Sequence, residues 1–381
     1  MKKQLFAALS ACCFTLSASA TVLTVSNNTY SPGQYTDVQD ACNAAAANDT
    51  IYIHGSPTNY GDFTVTKPLV IFGAGALPDK NYAWTTTVGN VTFGFNGVSS
   101  SAGSKIFGCR CNVILGINAT GGAGVSNIVI ERNAIGSVRF TNGYFVYDFN
   151  NIYIRNNVIS QIQPLTIYYG SYQNPTLNNV QIRNNIISGD IQGLGSNPSG
   201  PTIAHNIIYG DIHACNSASI FNNIFYGGAN ALSINNLENT YCTITNNCII
   251  SASTTYTPGM VVYGTNTGGD NLLNVDPLFN DDGTLAEVFV WNYSYTSPGE
   301  NGPFADYHLQ ASSPCIGAGV GGEDLGIYGG VTPYFEGIPN DSRFRYYPMP
   351  NIPTMRDMSI ENSNILPDGT LNVEFKARKQ D

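Results

Sequence analysis

Two carboxylates in equivalent positions carry the strongest chemical signal in this chain. Ser188-Gly189-Asp190-Ile191 and Tyr209-Gly210-Asp211-Ile212 share one pattern, 21 residues apart. If each follows the same strand of a stacked repeat, the carboxylates lie about 4.8 Å apart on neighbouring coils. Two carboxylates that close share a proton or hold a cation. Arg155 and Arg183 form a second equivalent pair, each directly before an Asn pair. On an outward face they would make a two-rung cationic ladder. His205 and His213 lie nearby in sequence, and Tyr209 and Tyr226 align as an aromatic platform of the kind sugars stack on. Tyr168, Tyr169 and Tyr172 crowd one loop.

Such a set suits an acidic polysaccharide. A uronic-acid lyase neutralises the substrate carboxylate with acidic side chains, usually with Ca²⁺, while an Arg or Lys abstracts a proton. A glycosidase divides acid and base roles between two carboxylates. On either reading Asp190, Asp211 and Arg183 are catalytic, and Tyr209, Tyr226, Arg155, His205 and His213 bind substrate. Each residue also has a plainer reading. Gly-Asp after a strand is a common turn pair, and Arg after an apolar strand residue usually belongs to a solvated face. Only four acidic residues lie between 126 and 215, which is sparse for a catalytic cleft. The balance favours a non-catalytic protein that binds glycan or builds surface structure. A polysaccharide lyase or glycosidase is the alternative, and an adhesin-like spacer is the third reading.

The elements that must position these residues come from a repeat. Six copies write alternating apolar residues, then an Asn or Asn pair, then a second apolar pair. Their last Asn residues are Asn133, Asn157, Asn185, Asn206, Asn223 and Asn247, at steps of 24, 28, 21, 17 and 24. A helical repeat does not tolerate such drift, whereas short strands joined by variable loops do. Ile128/Ile130, Ile152/Ile154, Val180/Ile182 and Cys242/Ile244 alternate, which places them on one face of a strand. That face has nothing to bury against within one copy, so the copies must stack. Asn tolerates the left-handed backbone of a sharp turn, and stacked Asn amides can hydrogen-bond in a ladder.

This pattern resembles the right-handed parallel β-helix of the pectin-lyase-like superfamily, over about residues 50–330. The resemblance implies an all-β solenoid, in a fold that carries lyases, hydrolases, adhesins and inert spacers alike. The polygalacturonase signatures N-T-D and G-H-G are missing, Asp281-Asp282 falls outside the coils, and no R-x-P-x-x-R segment occurs. Asn274-Val275-Asp276-Pro277, Asp306-Tyr307-His308-Leu309, Ser313-Pro314-Cys315-Ile316-Gly317 and Asp324-Leu325-Gly326-Ile327-Tyr328-Gly329 resemble the closing segment of bacterial cell-surface proteins of the choice-of-anchor Q group.

At the start, Met1-Lys2-Lys3 and an apolar run end at Ala18-Ser19-Ala20. This reads as a secretory signal over 1–20, and export to the exterior or the cell surface is expected. Leu9-Ser10-Ala11-Cys12 competes as a lipobox with Cys12 as the lipidated residue. Thr36-Asp37-Val38-Gln39 reads as a capping box opening a short helix that lids the first coil. The solenoid domain spans 21–330, and 331–381 is a tail with a β-hairpin around Pro367-Asp368-Gly369.

Acidic residues outnumber basic ones 26 to 16, and no basic run points to nucleic acid. The acidity is uneven: 270–381 holds 16 acidic and 6 basic residues, against 10 and 8 in 21–269. No later apolar stretch is long enough to cross a membrane, and a monomer is expected. Seven cysteines follow the leader, so at least one is unpaired within the chain. Cys242 and Cys248 occupy apolar repeat positions, while Cys109 and Cys111 flank Arg110 and should point inward. A Cys215–Cys242 disulfide and a Cys-x-Cys metal site remain open alternatives.

Overall fold

A computed structural model describes residues 20–281 and 306–330, except 30, 76–84, 95–98, 117–124, 143–147, 167–175, 196–197, 228–238 and 252–253. It also describes the backbone of 354–360 and 373–378. The leader, the Cys12 position, Tyr168, Tyr169, Tyr172, Asp282, 343–353 and the Pro367 turn lie outside the described residues.

The alternating strands stack as expected. One sheet runs in parallel through eleven strands, from Val22–Val25 through Thr50–Ile53, Ser126–Glu131, Asp148–Arg155 and Thr176–Arg183 to Thr267–Gly269. A second parallel sheet faces it, from Phe63–Val65 through Ala134–Asn142 and Val158–Thr166 to Leu272–Leu273. The chain alternates between the two, which makes a parallel β-solenoid. Ile106, Ile130, Ile154, Ile182, Ile203, Ile220 and Ile244 pair in register as one column, all fully buried. Each contributes roughly 1.5–3 kcal/mol of burial. The column stops at Gly268, where a Cβ would fall 1.9 Å from the Ile244 carbonyl oxygen.

The two tasks assigned to Asn fall on two adjacent positions. The last Asn of each copy builds the ladder: Asn206 Nδ2 donates to Asn223 Oδ1 at 2.9 Å and to the Ile182 and Ala204 carbonyls. The same bonds link Asn133, Asn157, Asn185, Asn223 and Asn247, and the ladder continues to Asn271. The left-handed turn belongs to the residue before it. Arg132, Asn156, Asn184, His205, Asn222, Asn246 and Asp270 all have φ between 51° and 57°.

The helix forms at Val38–Ala44 and buries Val38, Ala41 and Cys42. Its cap sits one residue later than the capping box predicts. Asp37 is the N-cap and accepts from the Asp40 amide at 3.0 Å. Gln39 turns away to pair with both backbone groups of Thr64, tying the helix to Phe63–Val65. Lys67 Nζ closes the other end by donating to the Asn43 and Ala45 carbonyls.

The second apolar pair of each copy divides between two surfaces. Ile187, Ile208, Phe225 and Ile249 face the main core, whereas Ile186, Ile207, Ile224 and Cys248 form a column that faces out. Phe279, Tyr307, Cys315, Leu325 and Ile327 cover that outer column. The closing segment therefore clads the side of the solenoid. It runs back along the stack: Asn246 Nδ2 donates to the Ala318 carbonyl, Asn222 Oδ1 accepts from Val320 N, and Asn184 Nδ2 donates to the Ile327 and Gly329 carbonyls. Thr354–Ile360 and Val373–Arg378 pair separately as an antiparallel hairpin. No described helix is long and apolar enough to cross a membrane.

Candidate functional site

Asp190 and Asp211 stand on adjacent coils, immediately before the paired residues Ile191 and Ile212. Their glycines make this possible: a Cβ on Gly210 would lie 2.2 Å from Gly189 backbone, and one on Gly189 2.5 Å from the Ser160 carbonyl. Asp190 Oδ1 accepts the Asp211 amide at 2.9 Å. His213 Nε2 lies 3.6 Å from Asp190 Oδ2, with both side chains partly open to solvent. Tyr256 completes the neighbourhood and was not anticipated from sequence. Its hydroxyl is buried without a hydrogen-bond partner. Burial first, and the Asp211 charge second, push it up to about 12. No repeat position contains Tyr256; it comes from the loop before Pro258–Val261, so repeat alignment could not find it.

Arg183 does not join these carboxylates. Its guanidinium lies 5.5 Å from the Phe221 ring centroid, burial lowers its pKa, and the carboxylate acting against that shift is Glu323. Arg155, expected on a solvated face, is buried and donates from Nε to Glu131 at 3.0 Å. The reason is a buried acid one coil away: Glu131 sits in register with Arg155 and also lies 3.5 Å from Arg132 Nε.

The two histidines separate. His205 occupies the left-handed turn position and is only 2% exposed. Its Nε2 is 3.1 Å from Glu323 Oε2, on the closing segment, and Nδ1 has no partner. The Asn222 side-chain amide lies at the same distance, 3.1 Å, from that nitrogen. Burial pulls His205 below its ordinary pKa, against the opposing pull of Glu323. Gly329 and Gly330 pack against the ring so closely that a Cβ on Gly330 would fall 2.4 Å from Nε2. His205 is thus part of the docking strip for the closing segment.

Tyr209 and Tyr226 do come together, edge to face at 5.9 Å. They continue into Phe279 and Tyr307, at 5.5 and 5.2 Å between successive rings, and the Tyr209 and Tyr307 hydroxyls hydrogen-bond at 2.8 Å. Both are partly buried against the closing segment.

A repetitive polar surface open to solvent lies elsewhere. Asn127, Asn151 and Asn179 each precede the first apolar residue of their copy and each adopts φ of 53–56°. Asn179 Nδ2 donates to Asn151 Oδ1 at 2.8 Å and Asn151 Nδ2 to Asn127 Oδ1 at 2.9 Å. Beside them Asn178 Nδ2 donates to Asn150 Oδ1, Ser199 Oγ to Asn178 Oδ1, and Gln181 Nε2 to Asn179 Oδ1. Tyr153 Oη accepts from Asn179 at 3.2 Å. The repeat carried this signal in N-I-V-I, N-I-Y-I and N-V-Q-I, one position ahead of the apolar residues.

A Ca²⁺ ion at Asp190 and Asp211 would draw on two carboxylates, one already accepting an amide. Among the described residues no group of three His, Cys, Asp or Glu side chains is arranged to hold a metal ion. Cys109 and Cys111 are buried, with Cys109 Sγ donating to the Phe107 carbonyl at 3.4 Å.

No family model matches this chain, and no curated protein matches it.

Proposed function

We propose that this is an exported β-helix protein that holds glycan at its surface without transforming it. The observation behind this reading is the exposed amide column of Asn127, Asn151 and Asn179, flanked by Asn150, Asn178, Gln181 and Tyr153. Stacked coils repeat the amides about every 4.8 Å, giving a rigid row of donors and acceptors suited to sugar hydroxyls. The row needs no ordering on binding, so little conformational entropy opposes contact. Export rests on the leader-like residues 1–20.

The double variant Asn151→Asp/Asn179→Asp tests this. Asp keeps the tolerance for the left-handed backbone but removes the NH₂ donors. On a panel of neutral and acidic polysaccharides, retention of the variant should fall about tenfold, the equivalent of roughly 1.4 kcal/mol. Equal retention of variant and parent would remove the amide column from the reading.

One observation favours a second reading. The buried, unpartnered Tyr256 hydroxyl beside Asp211 is the kind of group that moves protons in a lyase or glycosidase. In that reading Asp190, Asp211 and His213 act with Tyr256, and the two carboxylates would hold a Ca²⁺ ion whose charge would neutralise a substrate carboxylate. Arg183 is a poorer base here, because it lies under the closing segment near Glu323.

A further inference from the structure

Seven cysteines follow the leader-like residues, and all seven are buried thiols. Four of them spend their S–H within the solenoid: Cys109 toward Phe107, Cys215 toward Ile191 and His213, Cys242 toward Cys215 and Thr240, Cys248 toward Val275, all backbone carbonyls. Among the described cysteines, Cys248 and Cys315 are the two that share a buried cluster outside the main core. They come from opposite sides of one contact. Cys248 belongs to the outward column of the solenoid, in register with Ile224 and Leu272. Cys315 belongs to the closing segment that covers that column, and both are fully buried in the same apolar cluster. The backbone on the Cys315 side is fixed: its amide donates to Ser313 Oγ at 3.1 Å and its carbonyl accepts Leu325 N at 3.0 Å. The Ser313 hydroxyl in turn donates to the Pro277 carbonyl.

We propose that Cys248 and Cys315 are a redox pair that closes to a disulfide and bonds the closing segment covalently to the side of the solenoid. The chemistry is thiol–disulfide exchange with a disulfide oxidant. The Cys315 thiolate attacks one sulfur of the oxidant and expels its first thiolate. Cys248 then loses its proton and attacks Cys315 Sγ, expelling nothing from the protein but the second oxidant thiolate. Two protons and two electrons leave the cysteine pair, and one oxidant disulfide becomes two thiols. Because both sulfurs are buried, exchange runs when the closing segment is undocked, during folding or local opening. Cys215 and Cys242 lie in the main core instead, away from the contact with the closing segment.

The pairing rests on geometry and stands apart from the glycan reading. Its test supplies the oxidant: full-length protein refolded in oxidised glutathione, alkylated, digested and weighed. The expected product is a peptide pair joined through Cys248 and Cys315, two hydrogens lighter than the separate peptides. Limited proteolysis gives a second readout: cleavage that frees 306–330 should slow at least tenfold on oxidation and recover on reduction. Cys215→Ser/Cys242→Ser should keep the cross-link, and Cys248→Ser should lose it. Folded protein in which Cys248 and Cys315 are alkylated separately, or in which Cys215–Cys242 is the cross-link, overturns the proposal.

Discussion

At the scale of single residues, the turn position before the Asn ladder explains His205, one of the residues whose type suggested chemistry. Asn, Asp and His enter the left-handed region at low cost, and His205 stands where Asn156, Asn184, Asn222 and Asn246 stand in other coils. Its burial has a consequence for pH. The ring is neutral in the fold because burial depresses its pKa, with Arg183 pushing the same way and Glu323 the other. The unfolded ring takes up a proton below about 6.5, so the unfolded state binds more protons there and stability falls as pH drops through 6.5. The loss ends once pH passes below the depressed folded value. His205→Asn, which restores the residue of neighbouring coils, should flatten this dependence in urea midpoints measured between pH 7.5 and about 5. A midpoint that falls equally in both proteins would assign the dependence to other groups.

At the scale of elements, the closing segment decides which residues are available. Column geometry was legible in the sequence: alternation at Ile152/Ile154 and Val180/Ile182 predicts the inward face, and the Gly-Asp equivalence predicts the Asp190–Asp211 stack. What the repeat could not show is that Ile186, Ile207 and Ile224 face outward under a segment some 100 residues later. Period-two reading leaves one residue of each Ile-Ile pair without a partner, and that surplus is the local trace of the cladding. Arg155 reads as solvated until it is paired with Glu131, at the same repeat position one coil earlier, whereas the partner of His205, Glu323, lies outside the repeat altogether. The two faces should respond differently to truncation. Ile208→Ala removes main-core packing and should lower global stability by about 2–5 kcal/mol. Ile207→Ala should loosen 306–330 first, seen as faster amide exchange in that segment with the coils still protected. Equal loss of protection throughout the coils in the Ile207 variant would contradict a separable cladding.

At the scale of the whole molecule, the solenoid is a stiff stack in which each coil contacts its neighbours, and it is nearly neutral over 21–269 while acidity gathers after 270. The open amides of Asn127, Asn151 and Asn179 belong to strands of the first sheet, whereas the column that the closing segment covers, Ile186, Ile207, Ile224 and Cys248, belongs to the second. Uneven charge also predicts that an acidic polysaccharide meets less repulsion on this face than at the C-terminal end. The central claim is contact without transformation, and one experiment addresses it. Purified protein is incubated with a polysaccharide panel, with and without Ca²⁺, and the same samples are scored for bound protein, unsaturated uronate absorbance and new reducing ends. The account predicts bound protein on at least one polymer, with no unsaturated product and no new reducing ends. Product that accumulates and disappears in Asp190→Asn or Asp211→Asn would contradict it and make the Asp190–Asp211–Tyr256 neighbourhood an active site.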